Sequence, residues 1–116
     1  MSITGAKQLV DTSSSSSNSD NMRTLDPALK NSIEKQLKEQ DEALRINPLD
    51  LEAWKFKGFD LAMLHRSDEA IIAYDQAIKV NLQDLDAWYY KGVTLYRLNK
   101  DEDAIKAFDK AIEVDP

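Results

Sequence analysis

A single imidazole and the absence of any thiol leave this chain few routes to chemistry. His65 is the only histidine and there is no cysteine. A tight metal site needs several donors brought to one point, and His65 lies in a short polar stretch, His65-Arg66-Ser67, that reads as a solvated turn. Carboxylates are plentiful. The densest group, Asp101-Glu102-Asp103, opens a helical pattern, where negative side chains complement the helix dipole. No two carboxylates fall in an apolar setting of the kind that prepares an acid and a base for proton transfer. Only Gly5, Gly58 and Gly92 are glycines, so no glycine-rich loop can cradle a phosphate. The residues give no catalytic set, no cofactor site and no metal site, and an enzyme is not expected.

Charge narrows the field further. Fifteen Lys and Arg stand against twenty-one Asp and Glu, a formal charge of −6. Nucleic-acid binding without sequence preference requires clustered cations that displace phosphate counterions, and anionic membranes require the same; neither partner is expected. Without cysteine there is no disulfide framework. No stretch approaches the roughly 20 apolar residues of a membrane helix. The first residues lack the apolar core of a signal peptide, so the expected location is the cytoplasm.

What remains are aromatic residues, Phe59, Tyr89, Tyr90 and Tyr96, with Lys55 and Arg97 near them. The elements that carry them follow from periodicity. Residues 1–25 contain the run Ser13 to Ser17 and then Asn18-Ser19-Asp20-Asn21, with too little apolar surface to offset the entropy of ordering. The segment reads as a disordered tail, a flexible linker before a phosphorylated one. At Asp26-Pro27 a helix start appears, with a capping side chain and a proline suited to the first turn. Apolar residues at Leu29, Ile33, Leu37 and Leu44 then follow helical spacing. The helix should stop near Ile46, because Pro48 disfavours helical backbone at Asn47.

From Leu51 the chain repeats. Leu51-Glu52-Ala53-Trp54-Lys55-Phe56-Lys57-Gly58 returns as Leu85-Asp86-Ala87-Trp88-Tyr89-Tyr90-Lys91-Gly92, each residue 34 positions on. Residues 51–82 and 85–116 align without a gap and are identical at fourteen of thirty-two positions. Each unit carries two amphipathic helices. Trp54, Gly58, Leu61 and Leu64 share one face of the first, and Ala70, Ile71, Tyr74, Ala77 and Ile78 share one face of the second. Ser67 and Asp101 stand where N-caps are expected. Gly58 with Ala70 and Ala77, and Gly92 with Ala104 and Ala111, would let backbones approach, while Trp54, Tyr74, Trp88 and Phe108 fill the space beside them. One hairpin cannot cover both its faces, so neighbours must stack.

Trp54, Gly58, Leu61, Ala70, Tyr74 and Ala77, with Trp88, Gly92, Leu95, Ala104, Phe108, Ala111 and Pro116, resemble the tetratricopeptide repeat in residue type and in the period of 34. The resemblance implies an all-α fold of antiparallel helix hairpins, an α-α solenoid that winds as a right-handed superhelix. It holds two full repeats, 51–84 and 85–116, behind an N-terminal capping helix at 26–48. Lys57 and Lys91 depart from the pattern, replacing the usual Leu, and so does Leu82, replacing the closing Pro. Gln36 and Gln40 occupy the places of Ala70 and Tyr74, which suits a face left in water. The array is therefore expected to start at this helix. The last helix would leave apolar surface uncovered around Ile105, Phe108 and Ile112, so a longer array or self-association is expected there.

In this family the first helix of each repeat lines a concave surface that takes a partner peptide or protein. By position, the resemblance assigns that surface to Glu52, Lys55, Phe56, Phe59, Ala62 and Met63 in one repeat. In the next it assigns Asp86, Tyr89, Tyr90, Val93, Tyr96 and Arg97. Two readings stand for Phe56 and Tyr90, the surface or packing between repeats; Tyr89 and Tyr96 are assigned to the surface. Some members grip acidic C-terminal chaperone tails with Lys, Asn and Arg. Lys55 matches one such position, but Phe59 and Tyr90 replace the asparagines, so that ligand is not expected. The implied role is a scaffold or adaptor for a protein ligand, with self-association as the alternative.

Overall fold

A computed structural model describes residues 25–115. The Ser-rich tail expected at 1–25 lies outside the described residues except for Leu25. The chain divides into two units, Met1–Lys30 and Asn31–Pro116, and apart from the first helical turn the description below concerns the second. Five helices and no strands occur among the described residues: α1 (Pro27–Ile46), α2 (Leu51–Met63), α3 (Ser67–Val80), α4 (Leu85–Arg97) and α5 (Asp101–Val114). The bounds of α1 are those that Asp26-Pro27 and Asn47-Pro48 predict. Ile33, Leu37 and Leu44 on it are buried, whereas Leu29 in its first turn is exposed.

The turns obey the 34-residue period atom by atom. Entering α2 and α4, Asp50 and Asp84 are the N-caps, their carboxylates accepting the N–H of Ala53 (3.1 Å) and Ala87 (3.0 Å). Just before, Asn47 and Asn81 accept the N–H of Leu49 and Gln83 in Asx turns. The indoles of Trp54 and Trp88 donate to the carbonyls of Pro48 (2.8 Å) and Leu82 (2.9 Å). The loop thus uses the backbone oxygen of that residue, which Leu supplies as well as Pro. This is why the departure at Leu82 is tolerated.

The turns inside the hairpins correct one expectation. Ser67 and Asp101 are the first residues of α3 and α5, and the caps are Arg66 and Lys100, neither of which makes a side-chain cap hydrogen bond. The cause lies one residue earlier. His65 and Asn99 both adopt φ 62°, the left-handed conformation that reverses the chain; Arg66 and Lys100 follow at φ −100° and −96°, and the helices begin at the next residue. Arg66 instead pairs its guanidinium with Glu69 through two bonds of 2.7 and 2.8 Å.

Packing follows the small-residue pattern. An atom added as Cβ at Gly58 would lie 2.5 Å from Cε1 of Tyr74, and at Gly92 it would lie 2.7 Å from the Phe108 ring. The bare backbone of each first helix is therefore a seat for an aromatic ring of the second. Leu61, Ala70, Ala73 and Tyr74 form one core cluster with Leu37 of α1. Ala77, Ile78 and Ala87 form the next, and Leu95, Ala104 and Ala107 a third. Trp54 packs against the first and second clusters and Trp88 against the second and third, so each indole joins consecutive hairpin layers.

Lys57 and Lys91 acquire a role here. Lys57 reaches Asp41 on α1 at 2.7 Å and lies 5.6 Å above the ring of Trp54. Lys91 reaches Asp75 on α3 at 2.6 Å and lies 5.6 Å above Trp88. The ammonium group lies over the indole face and pairs with the preceding helix at once, which a leucine could not do. One buried polar group is not accommodated. Asp60 is 5% exposed, and its Oδ2 has no hydrogen-bond partner among the described residues. Burial raises its pKa above the ordinary carboxylate value. Thr94 stands 34 residues on, equally buried, and its hydroxyl donates to the Tyr90 carbonyl at 2.8 Å.

Candidate functional site

Helices α2 and α4 carry all the residues assigned to the binding surface. Since α2 and α4 start at equivalent caps, residues one period apart present equivalent faces. The structure gathers Glu52, Lys55, Phe56, Phe59, Asp86 and Tyr90 around one pocket of about 250 Å³. Phe56 is 53% exposed and Phe59 45%, large values for phenylalanine on a helix packed against neighbours. Tyr90 meets Phe59 edge-on with ring centres 6.0 Å apart, stacks on the buried Tyr74 at 6.0 Å, and meets Tyr89 at 5.5 Å. It therefore packs on one side and lines the pocket on the other. Phe56 lines the pocket.

Tyr89 continues the aromatic series to Phe108 of α5, 5.9 Å away. Tyr96 is the most exposed aromatic, and Arg97 beside it is exposed. Ala62 is half-buried and packs against the core cluster of Leu61 and Tyr74, while Met63 and Val93 are half-buried. These three, with Tyr96 and Arg97, do not line the 250 Å³ pocket.

Lys55 is the cation of the pocket, but its charge is already engaged. Its ammonium lies 3.0 Å from Asp84, 3.2 Å from Glu52 and 3.5 Å from Asp86. Burial pulls its pKa down; the hydrogen bonds and charges of Asp84 and Glu52 outweigh that, and it stands above the ordinary lysine value. The carboxylate of Asp84 thus has two duties, capping α4 through Ala87 and holding Lys55. Reading the sequence missed Asp84. The signal was present, since Asp50 and Asp84 precede the two first helices at the same spacing, but the pairing with Lys55 spans 29 residues.

One expectation about the far end is corrected. Phe108 is half-buried rather than uncovered: its ring fills the space above Gly92 and packs against the cluster of Leu95, Ala104 and Ala107. Ile105 and Ile112 remain, 57% and 61% exposed. Among the described residues no group of three or more His, Cys, Asp or Glu is placed to hold a metal ion. No described helix is long and apolar enough to cross a membrane.

Hairpins joined through glycine–aromatic seats and repeated every 34 residues define a helical-repeat protein. Residues 60–116, just under half of the chain, match the family model described as Tetratricopeptide repeat. Repeats of this family generally mediate protein–protein interaction, on a fold that is not catalytic. No curated protein matches the sequence. Solved structures that resemble it include MamA of MSR-1 (TM-score 0.66) and MamA of AMB-1 (TM-score 0.65), each 22% identical over 72% of this chain. A mutant of MamA resembles it equally, with a TM-score of 0.64 at 22% identity over 72% of this chain and 51% of its own. The matches cover 51% and 52% of the MSR-1 and AMB-1 chains, so this chain spans about half their length. At that identity the likeness is one of fold.

Proposed function

We propose that this chain is a protein-interaction module whose ligand, an extended or helical segment of another protein, lies along the aromatic face of α2 and α4. The observation that carries this is the exposure of Phe56, Phe59, Tyr89 and Tyr96 on the two first helices, between 45% and 64% for each. Aromatic residues held in place by neighbouring rings lose little conformational freedom on binding, and such residues, with Arg, dominate the energetics of protein interfaces. Arg97 supplies an exposed guanidinium on the same helix as Tyr89 and Tyr96. The role is that of a scaffold or adaptor. Lys55, neutralised by Asp84, Glu52 and Asp86, is a poor grip for a C-terminal carboxylate, which argues against acidic tails as ligands. Affinity capture from native lysate, with Tyr89→Ala/Tyr96→Ala as control, tests the reading. Partners should be lost in the double variant, and their full retention would place binding elsewhere.

A second reading is self-association through α5. Ile105 and Ile112 occupy the places of Ile71 and Ile78, which in α3 pack against the core cluster of Leu95 and join that of Ala87. Sedimentation across a wide concentration range tests it: a rising mass that Ile105→Ser/Ile112→Ser abolishes supports the reading, and a constant monomer mass contradicts it.

A further inference from the structure

We propose that the pocket between α2 and α4 receives a cationic side chain of the partner segment, arginine in preference to lysine; this rests on the binding surface proposed above and specifies its ligand. The walls come first. Phe56, Phe59 and Tyr90 present ring surface to a space of about 250 Å³, room for one long side chain. Tyr90 is held by Tyr74 behind it and Phe59 across from it, so the wall is set before any ligand arrives.

Charge then selects among long side chains. One ammonium, Lys55, faces three carboxylates within 3.5 Å, which leaves the rim negative. Asp84 is mostly buried and tied to the start of α4, so it is not offered to a ligand. Glu52 and Asp86 are different: their side chains are 64% and 62% exposed, and both line the pocket. An aliphatic or aromatic ligand side chain would take water from these two carboxylates and leave them only the one ammonium they already share with Asp84. An acidic one would meet them as like charges. A guanidinium stacks its plane on the rings and directs its N–H groups at the carboxylates. An ammonium offers neither the planar stack nor the bidentate geometry, which is the reason for the preference. The overall charge of −6 favours the approach of a basic segment at long range.

The test is a selection from a phage-displayed library of random dodecapeptides against the intact chain, followed by titration of the recovered peptides. Peptides carrying arginine should be enriched. Their affinity should fall about tenfold or more when that arginine becomes norleucine, and by less when it becomes lysine. The same loss should appear with Glu52→Gln/Asp86→Asn, whose exposed positions leave the fold intact by circular dichroism. Added salt should weaken binding to the wild type more than to the double variant. Peptides that lose affinity in Tyr89→Ala/Tyr96→Ala but bind Glu52→Gln/Asp86→Asn at full strength would overturn the cationic ligand and leave the aromatic surface standing. Peptides indifferent to both double variants, or no recovered peptide at all, would overturn both.

Discussion

Replacing Gly58 by alanine sets two opposed effects against each other, and the geometry decides between them. In the middle of a helix, glycine to alanine is favourable by about 1 kcal/mol on propensity alone. In this fold the new methyl would lie 2.5 Å from Cε1 of Tyr74 and 2.8 Å from Cδ1 and Cζ. Carbon atoms rest comfortably at about 3.5–4.0 Å, so the ring or the helix must give way by roughly 1 Å. Tyr74 is 1% exposed and backed by Tyr90, which leaves it nowhere to go without moving α4. Overpacking of this kind costs about 1–3 kcal/mol. With a buried ring that cannot move aside, the cost falls in the upper part of that range, about 2–3 kcal/mol, so the net expectation is a loss of about 1–2 kcal/mol, or roughly 5–10 °C in Tm for a domain of this size. Urea and thermal unfolding followed by circular dichroism read it directly. Gly92→Ala should lose less, because the opposing Phe108 is only half-buried and belongs to the last helix. Tyr74→Leu in the Gly58→Ala background should recover part of the loss, a coupling that the single variants do not predict. If Gly58→Ala instead raises Tm, the close approach of α2 and α3 is not what requires glycine, and the packing account fails.

Further expectations follow from the same packing. Asp60→Thr, which copies the solution at Thr94, should stabilise the fold by about 1 kcal/mol at neutral pH, since it removes a buried carboxylate oxygen without a partner. The folded-state pKa of Asp60 is raised, so wild type regains stability as pH falls through that value. The advantage of Asp60→Thr should therefore shrink toward about pH 4, and an advantage independent of pH would refute the cause given. Lys57→Ala and Lys91→Ala should each lose about 1 kcal/mol, mostly from the ammonium held over the indole face. Asp41→Asn should lose less than about 0.5 kcal/mol, because that carboxylate is 53% exposed; denaturant melts of the three variants check the order. Asp84→Ala should lose about 1 kcal/mol as a cap, and Asp50→Ala a similar amount. Only Asp84→Ala should also change ligand affinity, by loosening Lys55.

Much of this architecture is legible from residue types. The identical spacing of Trp54 and Trp88, Gly58 and Gly92, and Ala70 and Ala104 requires a period, and helical faces within it require hairpins that stack. What escaped depends on distances that a linear pattern does not contain. Ser67 looks like a cap because it is a good capping residue, yet the left-handed turn at His65 shifts the helix start by one. Lys57 and Lys91 look like departures from the repeat, but Asp41 and Asp75 sit at equal spacing before them, and only the stacked helices bring each pair together. The candidate site shows the same division. Its aromatics could be named from position, while the engagement of Lys55 by Asp84, which turns a cationic site into an acidic one, needed the geometry of the cap.

The central claim is that the aromatic face of α2 and α4 meets the partner. Site-specific photocrosslinking tests it most directly, with p-benzoylphenylalanine placed at position 89, 72 or 112 in turn. Ile72 is exposed on α3 and Ile112 on α5, so all three probes reach solvent and differ only in the face they report. The account predicts partner adducts from position 89 and none from position 72 or 112. Adducts from 72 or 112 with none from 89 would contradict it.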